Sequence, residues 1–241
     1  MRTGFLCCIH GNLLALEAVA RDMESQRLDR VYCLGDVVGY GAQPHECIQF
    51  VRERNWPSLL GNHEGALLDP TLGEQFTPIA KMCLYYSMGA MTKSDREWMR
   101  SLPLALATDE FQLVHGSPVG PNSNQRYLLT VEAAEEAFGA ATHNWVFHGH
   151  THVPMAYFKT DPISYSTEPI WKLEKNLRAI MNVGSVGQPR DKDPRACYAI
   201  LDSAASQVEL RRVTYDVQRA VAEFKAAGLP EKIADRLALG A

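Results

Sequence analysis

Five short apolar runs punctuate the sequence, and each is followed by a glycine and by residues that can bind metal. The runs lie at 5–9, 31–34, 58–60, 111–114 and 145–147. A buried strand that stops in this way places its polar residues at the carboxyl edge of a sheet, where open α/β folds carry out their chemistry. A lone His or Asp after a strand is more often a loop residue, but five such runs favour one shared site.

The first two runs predict a βαβ unit. The continuous apolar run at 5–9 is typical of a central strand that is covered on both faces. Asn12 can cap a helix that extends to about Ser25, and this helix returns the chain to a strand at 31–34. A second helix at 43–55 leads to the third run at 58–60. This alternation predicts a sheet with a parallel core.

The remaining chain predicts a helical insert and a second sheet. Helices are expected at 78–91, capped by Thr77, and at 94–102, opened by a Ser94/Glu97 capping box, so about 65–105 is interpreted as an insert that shapes a cleft wall. After a helix at 130–140, strands are expected at 153–159, 178–183, 196–201 and 208–214, and helices at 216–227 and 231–239. Strands that follow one another without helices predict antiparallel pairing in a second sheet. With no linker or repeat, residues 1–241 are predicted to form a single domain.

The composition excludes several functional classes. An apolar content of 46% in 241 residues is ample for a substantial core. A formal net charge of -4 gives no bulk attraction to nucleic acid or to an anionic membrane. The sequence has no 18-residue apolar stretch and no secretory signal, which predicts a cytoplasmic protein. The six cysteines form no CxxC pair and are interpreted as small buried residues, except Cys8. The oligomeric state is left open.

The residues that follow the runs predict a metal centre. Seven candidate ligands are Cys8, His10, Asp36, Asn62, His115, His150 and His152. If Asp36 bridges two ions, these seven residues supply eight contacts, four for each ion, as a dinuclear site requires. Imidazole, carboxylate, amide and thiolate together suit Mn, Fe or Zn and disfavour Mg and Ca. His148 is interpreted as structural, and His45 and His143 as surface residues.

The motifs resemble those of the calcineurin-like metallophosphoesterase superfamily in order and spacing. They are Gly35-Asp36 with Gly39-Tyr40-Gly41, Gly61-Asn62-His63-Glu64, Val114-His115-Gly116-Ser117, Gly149-His150-Thr151-His152 and the later run at 182–190. With the C-terminal segments at 215–217 and 228–231, the chain is most similar to small bacterial phosphodiesterases related to diadenosine tetraphosphatases.

This resemblance implies an α/β fold, a four-layer αββα sandwich of two mixed β-sheets flanked by helices. It assigns one ion to position 8, His10, Asp36 and His152, and the other to Asp36, Asn62, His115 and His150. It also implies that His63 lies beside the leaving group and is oriented by Glu64, where an Asp is more usual. The family pattern at positions 8 to 10 is Asp-x-His, whereas this chain has Cys-x-His.

The implied function is a dinuclear metal-dependent phosphohydrolase in which a metal-bridging hydroxide attacks phosphorus in line. Asp36, His63 and Glu64 are the predicted catalytic residues. Asn12, Asn62 and Arg190 are the predicted contacts to a small phosphate-ester substrate, although Arg190 can equally form a surface salt bridge. The family likeness favours phosphodiesters. Phosphomonoesters, dinucleoside polyphosphates and a metal-binding scaffold without turnover remain alternatives, and a redox sensor built on Cys8 is a minor one.

Cys8 is predicted to be a thiolate ligand rather than a core cysteine. Side chains two apart on an extended strand project to the same side, so Cys8 and His10 can reach one ion. A thiolate is softer than a carboxylate and favours Fe or Zn over Mn.

Overall fold

The N-terminal apolar run forms an inner strand of a five-stranded sheet. In spatial order this first sheet contains β2 (Arg30–Cys33), β1 (Arg2–Leu6), β10 (Ala196–Asp202), β11 (Gln207–Val213) and β8 (Ile170–Lys172). Strand β1 is parallel to β2 and antiparallel to β10. The computed structural model describes residues 1–174 and 176–241.

A second, six-stranded sheet contains the apolar runs at 111–114 and 145–147. In spatial order it contains β3 (Ala105–Ala107), β4 (Phe111–Val114), β5 (Trp145–His148), β9 (Ala179–Asn182), β6 (Met155–Phe158) and β7 (Ser164–Ser166). Strands β4, β5 and β9 are parallel, and the other pairs are antiparallel. Both sheets are therefore mixed, as predicted.

The described residues form eight α-helices. They are α1 (Leu13–Ser25), α2 (Pro44–Glu53), α3 (Asn62–Leu68), α4 (Pro78–Ala90), α5 (Lys93–Arg100), α6 (Val131–Ala140), α7 (Val217–Ala226) and α8 (Glu231–Leu239). Asn12 caps α1, because its side-chain oxygen accepts a hydrogen bond from the Ala15 N–H at 3.2 Å. No helix in residues 1–174 or 176–241 is long and apolar enough to cross a membrane.

The two sheets pack face to face between outer layers of helices. Phe5 of β1 stacks on Phe147 of β5 with ring centroids 4.0 Å apart, so one sheet contributes to the core of the other. The neighbouring residue Leu6 points the other way, into a core shared with α1, because successive side chains of a strand alternate between faces. Val146 of β5 likewise packs toward α6. The predicted four-layer αββα sandwich is confirmed.

Several strand predictions need correction. Strands β10 and β11 were expected in the second sheet, but β10 pairs with β1 and brings both into the first. The run at 58–60 is not a strand and contributes only a parallel bridge between Cys33 and Ser58. Strand β1 also ends at Leu6, earlier than predicted, while the short strands β3, β7 and β8 were not predicted.

Two helix starts also differ from the prediction. Helix α3 was not predicted and begins directly after the run at 58–60, with Gly61 as its N-cap. Helix α5 starts at a capping box of Thr92 and Asp95 instead of Ser94 and Glu97. The helices expected at 65–105 are otherwise present, and Thr77 caps α4. The single-domain organisation stays a prediction.

Candidate metal centre

The turns that follow the strands are held together by backbone hydrogen bonds. Beyond the ends of β1 and β2 the Cys8 N–H donates to the Gly35 carbonyl at 3.0 Å, and beyond the ends of β4 and β5 the Gly149 N–H donates to the His115 carbonyl at 2.9 Å. The Gly187 N–H donates to the Cys8 carbonyl at 2.9 Å and ties the loop after β9 to the turn after β1. The carboxyl ends of both sheets therefore meet at one edge.

Five of the predicted ligands have left-handed backbone conformations. They are Cys8 (φ 53°), His10 (φ 50°), Asp36 (φ 55°), His150 (φ 66°) and His152 (φ 63°). Such a conformation costs a non-glycine residue about 1–3 kcal/mol and is concentrated at functional sites. The reason given for pairing Cys8 with His10 is thus wrong, because neither lies on an extended strand. Their backbones instead turn so that both side chains reach the same point.

Two groups of buried side chains have ligand atoms that all lie within 4.8 Å of one another. The first group contains Cys8, His10, Asp36 and His152, and the second contains Asp36, His115 and His150. The Asn62 Oδ1 atom lies 3.1 Å from His115 Nε2 and so joins the second group. The structure thus brings all seven predicted ligands together, with Asp36 shared by both groups.

The imidazoles of the first group face each other through unprotonated nitrogens. His10 Nδ1 donates to the Val38 carbonyl at 3.0 Å, and His152 Nδ1 donates to the Gln188 carbonyl at 2.6 Å. A neutral imidazole has one N–H, so the hydrogen-bond partners assign a lone pair to each Nε2. These two Nε2 atoms are 3.1 Å apart. Burial lowers the pKa of both histidines well below the usual range, which keeps them in the neutral form that binds metal.

The second group has the same kinds of ligand atoms, but one of its histidines differs in charge from those of the first. His115 Nδ1 contacts the Leu34 carbonyl at 2.6 Å, and its Nε2 faces Asp36 Oδ2 at 3.2 Å as well as the Asn62 oxygen. Burial lowers the pKa of His115, but the Asp36 carboxylate outweighs it and raises that pKa to about 9, so the ring must lose a proton before its Nε2 can bind a metal ion. His150 Nε2 is buried and has no hydrogen-bond partner among residues 1–174 and 176–241. The donor set fits transition-metal ions.

The Cys8 thiol belongs to the first group but also touches its neighbours. Its Sγ accepts a hydrogen bond from the His150 N–H at 3.3 Å and lies 3.3 Å from Cys7 Sγ. All six cysteines are buried, and burial raises the pKa of Cys7, which fits a core residue. Ligation by Cys8 stays a prediction that the geometry permits.

Glu64 does not orient His63, and this implied role is wrong. Its two carboxylate oxygens accept hydrogen bonds at 2.7–3.1 Å from the backbone N–H groups of Asp36, Val37, Val38 and Gly61. Two carboxylate oxygens can accept this many donors, so the turn uses Glu64 to satisfy its own backbone. Glu64 is therefore a positioning residue for the Asp36 turn rather than a catalytic residue.

His63 lies at the edge of the centre with a free imidazole nitrogen. Its backbone N–H donates to Asp36 Oδ1 at 3.0 Å, while its Nδ1 is buried and has no partner in the described part of the chain. Burial, with a contribution from Arg190, lowers the pKa of His63 to about 4. The ring is thus neutral at pH 7, and a bound anion beside it would raise that pKa.

Asn12 and Arg190, the two other predicted substrate contacts, differ in how far their side chains are already engaged within the protein. Asn12 has its amide engaged, because Nδ2 donates to the Gly187 carbonyl at 3.0 Å and to the Tyr215 hydroxyl at 3.3 Å. A substrate contact by Asn12 stays a prediction. Arg190 lines a cavity of about 370 Å³ above the centre, together with Asn62. It forms no ion pair with the described residues, and its buried Nε has no partner among them, which agrees with an anion-binding role better than with a salt bridge.

The cavity wall includes residues that no sequence motif marks. The helical segment contributes Gln75, Phe76, Thr77 and Ala80, as predicted for a cleft wall. The loop before α6 contributes Gln125 and Tyr127, which sequence reasoning missed because loop composition alone does not show which loop reaches the site.

The remaining histidines lie outside the two groups. His148 is buried at the end of β5 beside Asn182, with 3.4 Å between its Nδ1 and the amide nitrogen, as expected for a structural residue. His45 is not simply a surface residue, because its Nδ1 lies 2.7 Å from the buried Asp95 carboxylate. His143 is half-buried and contacts the Thr142 hydroxyl.

Comparisons with known proteins show the family of this chain. Residues 1–206 match the calcineurin-like phosphoesterase superfamily domain. A metallophosphoesterase from Sphaerobacter thermophilus with a known crystal structure has 35% sequence identity to this chain. The two structures match with a TM-score of 0.87, and the match covers 100% of this chain and 99% of that chain. An uncharacterised protein of Methanocaldococcus jannaschii is 30% identical over 236 residues, 96% of this chain and 95% of the relative. A symmetrical bis(5'-nucleosyl)-tetraphosphatase of Actinobacillus pleuropneumoniae is 27% identical over 190 residues, 76% of this chain and 66% of the relative.

Proposed function

The chain belongs to the calcineurin-like phosphoesterase superfamily and is a phosphoric ester hydrolase, and we propose that it hydrolyses phosphodiesters at a dinuclear transition-metal centre. One observation carries this proposal: the Asp36 carboxylate is shared by two groups of buried ligand atoms. When bound, two ions would act as Lewis acids that activate water and polarise the phosphoryl oxygens.

The protein's own residues have distinct roles in this proposal. Asp36 holds the two halves of the centre together, while the neutral imidazoles of His10 and His152 bind through Nε2. Arg190 receives the phosphate, since a guanidinium pairs with phosphate through two hydrogen bonds. His63 stabilises or protonates the departing oxygen once the negative charge of the substrate has raised its pKa.

The preference for diesters is supported by the family likeness. The tetraphosphatase relative favours a second candidate, hydrolysis of dinucleoside polyphosphates. The substrate is proposed to bind through the metals and Arg190 rather than in a basic groove, because the net charge is -4. A cytoplasmic location is part of the same proposal.

The direct test compares turnover of bis(p-nitrophenyl) phosphate, p-nitrophenyl phosphate and a dinucleoside tetraphosphate. Diester turnover should be the fastest, should disappear after chelation and should return with Fe or Zn. Faster turnover of the tetraphosphate would favour the second candidate. If no phosphate ester is hydrolysed with any of Fe, Zn or Mn, the chain is a metal-binding scaffold and the proposal fails.

Cys8 is proposed to set the metal preference. A thiolate donates more strongly to soft ions than a carboxylate does, so the wild type should prefer Fe or Zn. Cys8→Asp should shift both occupancy and turnover toward Mn, measured by elemental analysis and by diester hydrolysis under each metal. Cys47→Ala, at a buried cysteine of α2 outside both metal groups, is the matched control and should leave the metal preference unchanged. If Cys8→Ala keeps full occupancy and wild-type rates with every metal, Cys8 is only a packing residue.

A further inference from the structure

The ring of Tyr127 lies directly over a predicted metal ligand at the mouth of the cavity. Its centroid is 4.1 Å from the centroid of His150, and the two rings are inclined by 30°. Tyr127 is 53% exposed. The imidazole therefore covers part of the tyrosine while much of the ring remains open.

Tyr127 does not serve the packing of the protein. It belongs to none of the apolar cores formed by residues 1–174 and 176–241, and its hydroxyl has no hydrogen-bond partner among them. An exposed aromatic ring that has neither role gains free energy when a ligand covers it.

The loop that carries Tyr127 is fixed to the turns of the metal centre. The Asn124 side-chain amide donates to the Gly61 carbonyl at 3.2 Å, beside Asn62, and the Ser117 N–H donates to the Ser123 carbonyl at 2.9 Å. The ring is thus presented at a set position, which lowers the entropic cost of using it to bind a ligand.

A second aromatic ring lines the cavity on the His63 side. Phe76, in the segment before α4, is half-buried, and its ring centroid is 5.0 Å from that of His63. Tyr127 thus contacts the predicted metal ligand His150, and Phe76 contacts His63, which is predicted to lie beside the leaving group. The two rings border the same cavity as Arg190. The wall combines two aromatic surfaces with one guanidinium.

We infer that Tyr127 and Phe76 bind a planar aromatic group of the substrate, so that the enzyme selects phosphodiesters of aryl alcohols or nucleosides over simple alkyl diesters. The aromatic group of the substrate would stack on these two side chains, while Arg190 and the ions bound by the two metal groups would hold the phosphate. This inference rests on the proposed function, because it is that proposal which places the phosphate of the substrate at Arg190 and the metal groups.

Binding of three diesters that differ in one group tests the inference. The probes are dimethyl phosphate, methyl phenyl phosphate and thymidine 5'-methyl phosphate, titrated calorimetrically into metal-loaded protein. We expect the phenyl or the thymidine ester, or both, to bind roughly 10- to 100-fold more tightly than dimethyl phosphate, since stacking is worth about this much per ring. Whichever of these two esters binds more tightly shows whether the preferred ring is a simple aryl group or a nucleobase.

Variants separate ring binding from support of His150. Tyr127→Ala and Phe76→Ala should each remove most of this preference while leaving the affinity for dimethyl phosphate nearly unchanged, and Tyr127→Phe should keep the preference. Tyr165→Ala is the matched control, because Tyr165 is 63% exposed on β7 and does not line the cavity.

Two results would overturn the inference. One is equal affinity of the wild type for the three diesters, and the other is an equal loss for all three in Tyr127→Ala, which would mean that Tyr127 only supports His150. Turnover of bis(p-nitrophenyl) phosphate is measured in parallel. A protein that shows the binding preference but hydrolyses no ester contradicts the proposed function alone, and one that hydrolyses esters without the preference contradicts this inference alone.

Discussion

Glu64 accepts four backbone hydrogen bonds, three of them from the turn that carries Asp36. In Glu64→Gln the amide NH₂ replaces one acceptor and faces N–H donors, which leaves buried groups unsatisfied. We expect a loss of about 1–3 kcal/mol in the free energy of unfolding, measured by urea denaturation of metal-free protein. Glu74→Gln, a change at an exposed position, is the control. An unchanged unfolding midpoint in Glu64→Gln would contradict the assigned role.

His63 contacts the centre through its backbone N–H, and its side chain belongs to neither metal group. His63→Ala should therefore keep the metal content of the wild type while lowering kcat for a diester by about 10²- to 10⁴-fold. Elemental analysis and steady-state kinetics measure the two effects, with His143→Ala as the control. Loss of metal from His63→Ala would show that its assigned role is wrong.

The candidate ligands could be predicted because each follows an apolar run and carries metal-binding chemistry. Their left-handed φ values could not, because nothing in a run such as 5–9 shows where pairing stops. The partners of Glu64 were missed for a related reason. Glu64 follows His63 in the sequence, but its carboxylate binds backbone N–H groups of the turn after β2. These groups come close to Glu64 only when that turn packs against the start of α3.

At the scale of elements, the start of α5 shows how burial decides between two capping boxes. Both Thr92/Asp95 and Ser94/Glu97 fit the sequence pattern. Asp95 is fully buried and also accepts hydrogen bonds from His45 and Gln49, so the earlier box forms. Sequence spacing alone does not contain this tertiary contact.

The two boxes predict different mutational effects. Thr92→Ala should lower the free energy of unfolding by about 0.5–2 kcal/mol, because it removes the side-chain acceptor for the Asp95 N–H. Ser94→Ala, at an exposed position of the same helix, should stay within about 0.5 kcal/mol of the wild type. Urea denaturation of both variants measures the difference. A larger loss of stability in Ser94→Ala than in Thr92→Ala would instead favour the Ser94/Glu97 capping box.

Most long helices and inner strands were predictable from periodicity and caps, as α1 with Asn12 illustrates. The sequence did not show which sheet contains β10 and β11, because the pairing between β1 and β10 joins residues almost 200 positions apart. The edge strands β3, β7 and β8 have three residues each, too few to show a periodic pattern.

At the scale of the whole molecule, the metal centre joins the two sheets. The turns after β1 and β2 supply Cys8, His10 and Asp36, while those after β4 and β5 supply His115, His150 and His152. Ions that bind only this folded arrangement stabilise it by mass action. Metal-loaded protein should therefore unfold at a higher temperature than metal-free protein.

The metal content of the wild type and of Asp36→Asn, for protein purified without added metal, tests the dinuclear centre most directly. Asp36 is shared by both groups, so elemental analysis should find two transition-metal ions per wild-type chain and neither of them in Asp36→Asn. Thermal unfolding should show that Asp36→Asn also loses the stabilisation by metal. Asp109→Asn, at an exposed position, should match the wild type. Retention of one ion by Asp36→Asn, or a wild type that binds a single ion, would contradict the shared carboxylate and the dinuclear centre.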